Sequence, residues 1–401
     1  MFTSVQKHVL EVIPQMIEWR RYFHQYPELG FEEVMSAQKI AALLEEWGYE
    51  VTRGVGKTGV VGFLDNGGDF TLGLRFDMDA LPISEATDLP FCSQHPGVMH
   101  ACGHDGHMAV GLGVAYVLAK LRESIQGNIK MIFQPAEEGL GGARAMIDDG
   151  VLENPTVDAI LGMHIWPELE SGTVGVRKGT IMAAADRFYI ALSGSGGHGG
   201  QPHLAVDPIT ITAEVIEGLQ KIVSRETAPT EPVVISVGSV HGGTAFNIIP
   251  HRVEITGTIR TADETVRSHV LQRIEEKVYA VVKGNNASCD LEFERCFYQT
   301  FNDERLVESF RSTVMNSWDP ATLVDLESPT MTGEDFSEYQ RLIPGLYFFV
   351  GTRNEEKGLT FPIHHERYSI DEGVLGFGVE VMVQAALNVV QEGGSQKGES
   401  A

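Results

Sequence analysis

The stretch Leu72-Gly73-Leu74-Arg75-Phe76-Asp77 is a short apolar run that ends on a carboxylate, and it indicates the fold class. Three similar runs, at 129–133, 159–163 and 346–350, also stop close to polar residues. Runs of this length are typical of strands that are buried on both faces of a sheet. Segments with apolar residues three and four apart, which predict helices, lie between the runs. We therefore expect an α/β fold in which helices flank a mostly parallel sheet.

The middle of the chain has a different order of elements. Here the sequence predicts strand, helix, strand, strand, helix and strand, at 188–192, 208–223, 233–240, 253–259, 264–282 and 291–293. This β-α-β-β-α-β order is the ferredoxin-like arrangement, which forms a small independent domain. We expect the inserted domain to span residues 184–295 and to interrupt a discontinuous domain made of residues 1–183 and 296–401.

Composition limits the classes of function. The 401 residues suffice for two domains, and 43% hydrophobic with 21% charged residues is typical of a globular protein. The formal net charge of −25 argues against nucleic acid and anionic membranes as partners, because both require clustered Lys and Arg. Four cysteines without framework spacing indicate a reducing compartment.

Two further patterns concern localisation and order. Residues 1–20 lack the pattern of a signal peptide, and we expect no apolar run of transmembrane length. These features predict a cytoplasmic protein. The Gly/Ser-rich polar stretch 391–401 predicts a disordered tail.

The densest set of potential metal ligands is His100-Ala101-Cys102-Gly103-His104-Asp105-Gly106-His107. Thiolate and imidazole suit zinc or another late divalent metal. A structural site would need a second close pair of Cys or His, which the sequence lacks, so residues at the ends of strands must complete an open, catalytic site. The competing interpretation is a small buried thiol with imidazoles that cap a helix near Met108.

Six motifs occur in a fixed order along nearly the whole chain, at residues 20–29, 75–82, 102–104, 134–139, 196–200 and 247–250. Their order and spacing resemble the M20 metallopeptidase family. Within it, the resemblance is to the aminoacylase/amidohydrolase branch that includes hippurate hydrolases and auxin-conjugate hydrolases. The resemblance implies a catalytic α/β domain interrupted by a lid domain that also makes a homodimer, with a tetramer as the alternative.

The resemblance also implies a set of metal ligands. The site would hold divalent metal as zinc, manganese or cobalt, with two ions per subunit as the first expectation and a mononuclear site as the alternative. The implied ligands are Cys102, His104, Glu138, His164 and His364. His365 is an alternative to His364, and His164 is predicted to end its buried strand.

Other residues acquire roles through the same resemblance. Glu137 is expected to be the general base; an isolated pair of glutamates would more simply begin a helix and complement its dipole, but the neighbouring motifs favour the catalytic role. Asp79 or Asp77 would accept a hydrogen bond from His104 and fix its tautomer. The lid residue His198 would stabilise an oxyanion. Asn247 would contact the same intermediate, and Arg260 would bind a substrate carboxylate, unless Arg260 is simply a solvated residue at a strand end.

These features together predict metal-dependent hydrolysis of the amide bond of N-acyl-L-amino acids, which are small-molecule substrates. Deacetylation of N-acetyl-diaminopimelate or removal of a C-terminal residue from small peptides would use the same site. The sequence is also compatible with two other classes of function. One is a hydrolase with Cys102 as nucleophile and His104 as base, and the other is a non-catalytic ligand-binding protein.

Overall fold

The computed structural model describes the backbone of residues 2–400 and the side chains of residues 3–395, in two compact units. The first unit runs up to Ile181, resumes at Phe301–Ser328 and continues from Asp335 onward. The second comprises Met182–Thr300 and Pro329–Glu334. The domain boundaries drawn from the sequence stay a prediction.

The helices and strands are numbered here in chain order. The α-helices are α1 Phe2–Gln25, α2 Val34–Glu46, α3 His104–Lys120, α4 Gly142–Asp148, α5 Pro208–Lys221, α6 Glu264–Gly284, α7 Glu304–Ser317, α8 Ser337–Gln340 and α9 Leu375–Ser400. The strands are β1 Glu50–Val55, β2 Gly59–Leu64, β3 Thr71–Asp77, β4 Asn128–Gln134, β5 Ala159–Glu170, β6 Val174–Val176, β7 Gly179–Met182, β8 Ala184–Ser193, β9 Gly197–His198, β10 Val233–Gly242, β11 Ile248–Ile249, β12 Arg252–Thr261, β13 Ser288–Phe297, β14 Thr300–Asn302, β15 Leu323–Asp325 and β16 Gly345–Arg353.

The first unit is built on an eight-stranded sheet with the order β1-β2-β4-β3-β5-β16-β6-β15. The four strands predicted from apolar runs, β3, β4, β5 and β16, lie side by side and are parallel. Their side chains are almost all buried, as expected for strands covered on both faces. The α/β fold with a mostly parallel sheet is therefore confirmed.

Helix α3 carries part of the predicted ligand cluster into the centre of this unit. It contacts β3, β4 and β5 and packs against α1 and α9. Gly103 precedes the helix with a φ of 86°, a left-handed conformation that glycine adopts without a Cβ penalty. The turn at Gly103 lets the chain reverse directly into α3, so Cys102 and His104 lie on the two sides of it.

The second unit is built on an antiparallel four-stranded sheet with the order β10-β12-β8-β13. Helices α5 and α6 pack against it, and the chain order is the predicted β-α-β-β-α-β. Buried aliphatic residues that alternate along β8 and β12 form a core of its own with the two helices. The ferredoxin-like topology is therefore confirmed.

The C-terminal helix α9 differs from the sequence prediction. Disorder was expected for 391–401, yet the helix continues to Ser400; Ala401 lies outside the described residues. Gly393 permits this packing, because a Cβ there would lie 2.3 Å from the Phe70 ring. Glu392 accepts a hydrogen bond of 3.0 Å from the Ser309 hydroxyl, which fixes the helix further.

The same region also corrects the expectation about apolar runs. The segment Glu372–Ser395 has a mean hydropathy of 1.6 over its most apolar window, so by length and composition it could cross a membrane. However, 78% of that window is buried inside the protein. Its apolar side chains belong to the core shared with α1 and α3, which accounts for the composition.

Candidate active site

Cys102 lies at the centre of a group of potential ligands in the first unit. Its side chain is buried, and its Sγ atom lies 3.5 Å from Nε2 of His164 and 3.3 Å from Nε2 of His364. The same His364 nitrogen lies 3.1 Å from Oε1 of Glu138. Four side chains from distant parts of the chain therefore converge at the carboxyl ends of the parallel strands, where ligand sites form in such sheets.

His104 is oriented by the main chain of Asp79. Its Nδ1 atom lies 2.8 Å from the Asp79 carbonyl oxygen, which makes Nδ1–H the donor and leaves Nε2 as the free basic nitrogen. The predicted acceptor was a carboxylate of Asp77 or Asp79, and their nearest oxygens lie farther away, at 3.7 and 3.3 Å. The Asp79 carboxylate instead accepts a hydrogen bond of 3.0 Å from the backbone N–H of Glu138.

The buried atoms without a hydrogen-bond partner provide a test for a metal. Among the described residues they include Nε2 of His104, Oδ1 of Asp79 and Oε1 of Glu138. Buried polar atoms are rarely left unpaired unless something else binds them. Potential ligand atoms also lie within 4.8 Å of one another in three overlapping sets: Cys102/His104/His164, Cys102/Glu138/His364 and His104/Glu137/Glu138.

The mixed donors of these sets fit a divalent metal. Sulfur, imidazole nitrogen and carboxylate oxygen together suit zinc and cobalt, and the carboxylates also suit manganese. Each pair of sets shares one member (Cys102, His104 or Glu138), so the three sets form one connected group of potential ligand atoms. The residues present therefore fit the divalent metal that the sequence predicts.

Charge at the site also favours a cation. Burial raises the pKa of the Cys102 thiol well above its ordinary value, and nearby Glu138 and Glu137 raise it further. Burial alone would lower the pKa of His104, but Asp77 and the other carboxylates raise it to about 10. The carboxylates contribute to both shifts, after burial for Cys102 and against burial for His104, and a divalent cation would neutralise their charge.

Glu137 and Glu138 lie in a turn between β4 and α4, not in the first turn of a helix, so the helix-dipole interpretation is wrong. The preceding Ala136 has a φ of 55°, an uncommon left-handed conformation for a residue with a side chain. Glu137 is buried, and its Oε1 atom accepts a hydrogen bond of 3.4 Å from the backbone N–H of Asp335. We call residues 135–141 the Glu137 turn.

His164 and His364 occupy different local structures. His164 was expected to end a strand, but β5 continues past it to Glu170, so the imidazole projects from the middle of the strand. His364 has a φ of 63°, and its backbone N–H donates a hydrogen bond of 2.7 Å to the carbonyl oxygen of Ala101. The neighbouring His365 instead stacks on Phe361, with ring centroids 4.6 Å apart. Of the two candidates, only His364 contacts Cys102.

The other two histidines of the cluster have different surroundings. His107 lies 2.5 Å from Oδ1 of Asp77 through Nδ1, and its Nε2 accepts from the backbone N–H of Ile165 at 2.9 Å. Both its nitrogens are therefore used, so His107 supports the site without a free atom for metal. His100 is buried, neither nitrogen has a hydrogen-bond partner, and burial lowers its pKa to about 3.

His198 and Asn247 lie together within the second unit. Strand β9 pairs with β11, with His198 opposite Ile248, and the carbonyl of Asn247 accepts a hydrogen bond of 2.8 Å from the Gly199 N–H. The N–H of Gly200 donates 3.0 Å to Nδ1 of His198. This bond makes Nδ1 the acceptor of the neutral ring, so Nε2–H is left as a donor. The His198 side chain is exposed.

Arg260 lies near the end of β12, also in the second unit. Its guanidinium donates to the hydroxyl of Thr258 and, over 3.2 Å, to the carbonyl of Ile259. Burial lowers its pKa from the usual value, and the side chain is only partly exposed. Arg260 is therefore not a freely solvated side chain, and these contacts hold it by neutral oxygens only.

Three buried residues that were not predicted from the sequence hold the site together. Arg75 is fully buried and donates hydrogen bonds of 2.6 Å to Asp77 and 2.9 Å to Asp335. Asp335 also accepts from Gln134 and from the backbone N–H of Ala143, so it binds both sides of the Glu137 turn. Glu33 is buried and accepts from the Ala136 N–H. A charged residue within the apolar run 72–76 was the one available signal.

Comparison with known proteins gives consistent matches over most of the chain. Residues 73–388 match the model of Peptidase family M20/M25/M40. "Thermostable carboxypeptidase 1" of Saccharolobus solfataricus is 42% identical over 379 residues, which cover 94% of this chain and 95% of the relative. "N-acyl-L-amino acid amidohydrolase" of Geobacillus stearothermophilus is 42% identical over 301 residues, 75% of this chain and 81% of the relative.

A solved structure extends the similarity to the fold and to metal binding. The YXEP protein of Bacillus subtilis, described as a dinuclear metal-binding peptidase of the M20 family, has a TM-score of 0.82 at 34% identity. The match covers 95% of this chain and 99% of that chain. Together with the convergent ligand atoms, it supports binding of divalent metal ions. The chain therefore belongs to peptidase family M20/M25/M40, as a metal-dependent amidohydrolase.

Proposed function

We propose that this enzyme hydrolyses the amide bond of N-acyl-L-amino acids, releasing a carboxylic acid and a free amino acid. One observation carries the proposal: the Glu137 turn presents two carboxylates with different surroundings. Both carboxylates lie among the potential ligand atoms, but Glu138 lies 3.1 Å from His364, whereas Glu137 is more deeply buried and accepts a hydrogen bond from the backbone N–H of Asp335. Metal-dependent hydrolysis of an amide needs both ligands for the metal and a separate proton acceptor.

In this proposal two divalent ions would be held by Cys102, His104, Glu138, His164 and His364. Metal bound there supplies Lewis acidity, which lowers the pKa of water and polarises the amide carbonyl. Glu137 accepts the proton from the attacking water. It then returns that proton to the nitrogen of the leaving amino acid as the C–N bond breaks. Asp79 keeps His104 and Glu138 in place through its carbonyl and carboxylate oxygens.

The second unit would contribute donors for the substrate. With Nδ1 of His198 accepting from Gly200, the Nε2–H is available to donate to the oxyanion that forms on the carbonyl carbon. Asn247 lies beside His198 and would contact the same intermediate. These contacts would come from the same subunit or from a partner subunit.

Arg260 would bind the free α-carboxylate of the substrate. Its side chain is positively charged, only partly exposed and bound to neutral oxygens, so it still has charge to pair with an anion. A guanidinium matches a carboxylate through two parallel hydrogen bonds. The proposal therefore requires a carboxylate next to the scissile amide.

Cleavage of small peptides at the C-terminus is a second candidate, favoured by the similarity to the thermostable carboxypeptidase. The chemistry differs little, since the C-terminal residue of a peptide is also an amino acid with an acylated nitrogen. The two functions differ in whether the acyl group is a simple acid or a peptide. Deacetylation of N-acetyl-diaminopimelate would be a special case of the first function.

We also infer a homodimer made through the second unit, with a tetramer as the alternative. Leu204, Phe246 and Ile248 of that unit are exposed by 69%, 103% and 53%, and association would cover such apolar surface. Sedimentation analysis would test the dimer, and a monomer at micromolar concentration would contradict it.

The free cysteines of the described chain are consistent with a reducing compartment such as the cytoplasm.

A substrate panel tests the proposed function. It would contain N-acetyl and N-benzoyl amino acids, the same compounds as carboxamides, and dipeptides and tripeptides, with release of amino acid as the readout. We expect hydrolysis of the N-acyl amino acids and little of the carboxamides. Preferential cleavage of the peptides would favour the carboxypeptidase function, and cleavage of carboxamides at equal rates would contradict the role of the carboxylate.

A further inference from the structure

Glu33 connects two loops of the first unit through a fully buried carboxylate. Its Oε1 atom accepts a hydrogen bond of 2.9 Å from the backbone N–H of Ala136, in the Glu137 turn. Its Oε2 atom accepts from the hydroxyl of Thr58 at 2.5 Å, in the hairpin between β1 and β2. The side chain has no exposed surface. Burying a carboxyl group costs free energy unless its contacts compensate, and the two hydrogen bonds to Ala136 and Thr58 offset part of that cost.

The residue that Glu33 holds is strained. Ala136 has a φ of 55°, and a left-handed conformation costs an L-residue about 1–2 kcal/mol. Such a residue persists only where its surroundings hold it. Glu33 supplies one such contact directly, through the N–H of Ala136. The conformation of Ala136 in turn sets the direction in which the next residue, Glu137, leaves the end of β4.

Packing around the same point leaves little space for the turn to shift. A Cβ on Gly30 would lie 3.0 Å from Cα of Ala136, and one on Gly59 would lie 3.0 Å from the ring of Pro135. Asp335 accepts a hydrogen bond from the N–H of Ala143, in the first turn of α4 just beyond the Glu137 turn. The Glu137 turn is therefore held from both ends, and Glu33 is the only charged side chain described as binding its Ala136 N–H.

We propose that Glu33 is a positioning residue, which holds Ala136 so that the Glu137 carboxylate faces the attacking water. The inference rests on the proposed role of Glu137 as the proton acceptor. Glu33 itself touches neither substrate nor metal ligand. Its contribution belongs mainly to turnover, because Glu137 directly follows Ala136, whereas the metal ligand Glu138 has a second anchor in the Asp79 carboxylate. Burial raises the pKa of Glu33 to about 7, which is consistent with either ionisation state, because both keep an oxygen that can accept from Ala136.

Glu33→Ala and Glu33→Gln test this proposal together. The alanine variant removes the acceptor, and a displacement of about 1 Å at a catalytic group costs on the order of 100-fold in rate. We expect kcat to fall about 10- to 100-fold, with KM and the affinity for Zn²⁺, measured by competition with a chelator, nearly unchanged. Glutamine keeps the acceptor and offers an N–H to Thr58, so it should restore most of kcat.

Matched variants keep the test decisive. Glu32→Ala removes the exposed neighbouring carboxylate and should behave like the natural enzyme. If Glu33→Ala does not fold, Thr58→Val provides a milder test, because it releases the carboxylate from one anchor and should lower kcat about 3- to 10-fold. Unchanged kcat in Glu33→Ala, or in Thr58→Val, would overturn the proposal, as would equal loss of kcat in the glutamine and alanine variants.

The failure of this proposal can be separated from failure of the proposed function. In an enzyme that already carries Glu137→Gln, Glu33→Ala should cause no further loss, because its effect passes through Glu137. If Glu137→Gln abolishes turnover and Glu33→Ala does not, only the positioning role is wrong. If Glu137→Gln stays active, the function proposed above is wrong.

Discussion

Nε2 of His364 lies 3.3 Å from Sγ of Cys102, although 262 positions separate the two residues in the chain. Cys102 is buried and lies just before α3. His364 lies in a loop, and its own backbone has a left-handed conformation. His364 also lies 3.1 Å from a Glu138 oxygen that has no hydrogen-bond partner. Three potential ligand atoms of different chemistry thus face a common point, which is the arrangement expected around a metal ion.

Cys102→Ser tests whether the thiol is a ligand. Serine keeps the size of the side chain but is a much poorer ligand for zinc and cobalt, so we expect a loss of metal affinity of at least about 10-fold. Metal content after dialysis against a weak chelator gives the measurement. In the cobalt-loaded natural enzyme, a thiolate-to-cobalt absorption band should appear and should be missing in the variant. Cys92→Ser is the control; equal metal retention by both variants would exclude Cys102.

Arg260→Ala tests recognition of the carboxylate. Loss of a charge-assisted hydrogen bond costs about 1.5–3 kcal/mol, so kcat/KM for N-acyl amino acids should fall by about 10- to 150-fold. The same variant should leave the low rate with carboxamides unchanged. Arg252→Ala removes a half-exposed arginine on the same strand and serves as the control. A similar loss with both kinds of substrate would contradict the assignment.

Arg75→Met tests the buried charges beneath the site. The change leaves Asp77 and Asp335 without their cationic partner, and breaking a buried pair costs about 3–5 kcal/mol. The four tryptophans, at positions 19, 47, 166 and 318, all lie in the first unit, so their fluorescence during urea unfolding follows that unit. Arg53→Met breaks an exposed pair with Glu45 and should cost less than about 1 kcal/mol.

Glu33 should also make the stability of the metal-free protein depend on pH. Burial raises its pKa from 4.5 to about 7, so the folded state binds a proton that the unfolded state releases between these values. The stabilisation from protonated Glu33 is therefore complete below pH 4.5 and is lost as the pH rises to 7, by about 3 kcal/mol.

Glu33→Gln cannot titrate and supplies the comparison. The difference in unfolding free energy between the natural protein and this variant should decrease steadily from pH 5 to pH 7.5, measured by urea unfolding with chelator present. A difference that stays constant over this range would show that Glu33 titrates at its ordinary pKa.

Much of the fold could be predicted because the strands and helices have strong local patterns. The buried run that ends at Asp77 and the alternation along β8 and β12 are visible in the sequence itself. The tail was predicted wrongly, because Gly393 has a low helix propensity yet allows contact with Phe70, a residue more than 300 positions away. Composition alone therefore cannot predict that contact.

The candidate site was predictable in its residue types but not in its supporting contacts. Family motifs indicated Cys102 and His104, and the structure brings both near His164. The acceptor for His104 is a main-chain carbonyl, and every residue has one, so no sequence pattern identifies it. Asp335 and Glu33 support the Glu137 turn from about 200 and 100 positions away, a relationship that only the folded chain reveals.

The most direct test of the central claim is release of amino acid from N-acyl amino acids by chelator-stripped enzyme, before and after reloading with Zn²⁺, Mn²⁺ or Co²⁺. Glu137→Gln is measured alongside with its metal content. We predict that release requires metal and that Glu137→Gln keeps its metal but loses about 10²- to 10⁴-fold in kcat. Stripped enzyme that stays active until Cys102 is alkylated would contradict the account and favour a thiol nucleophile.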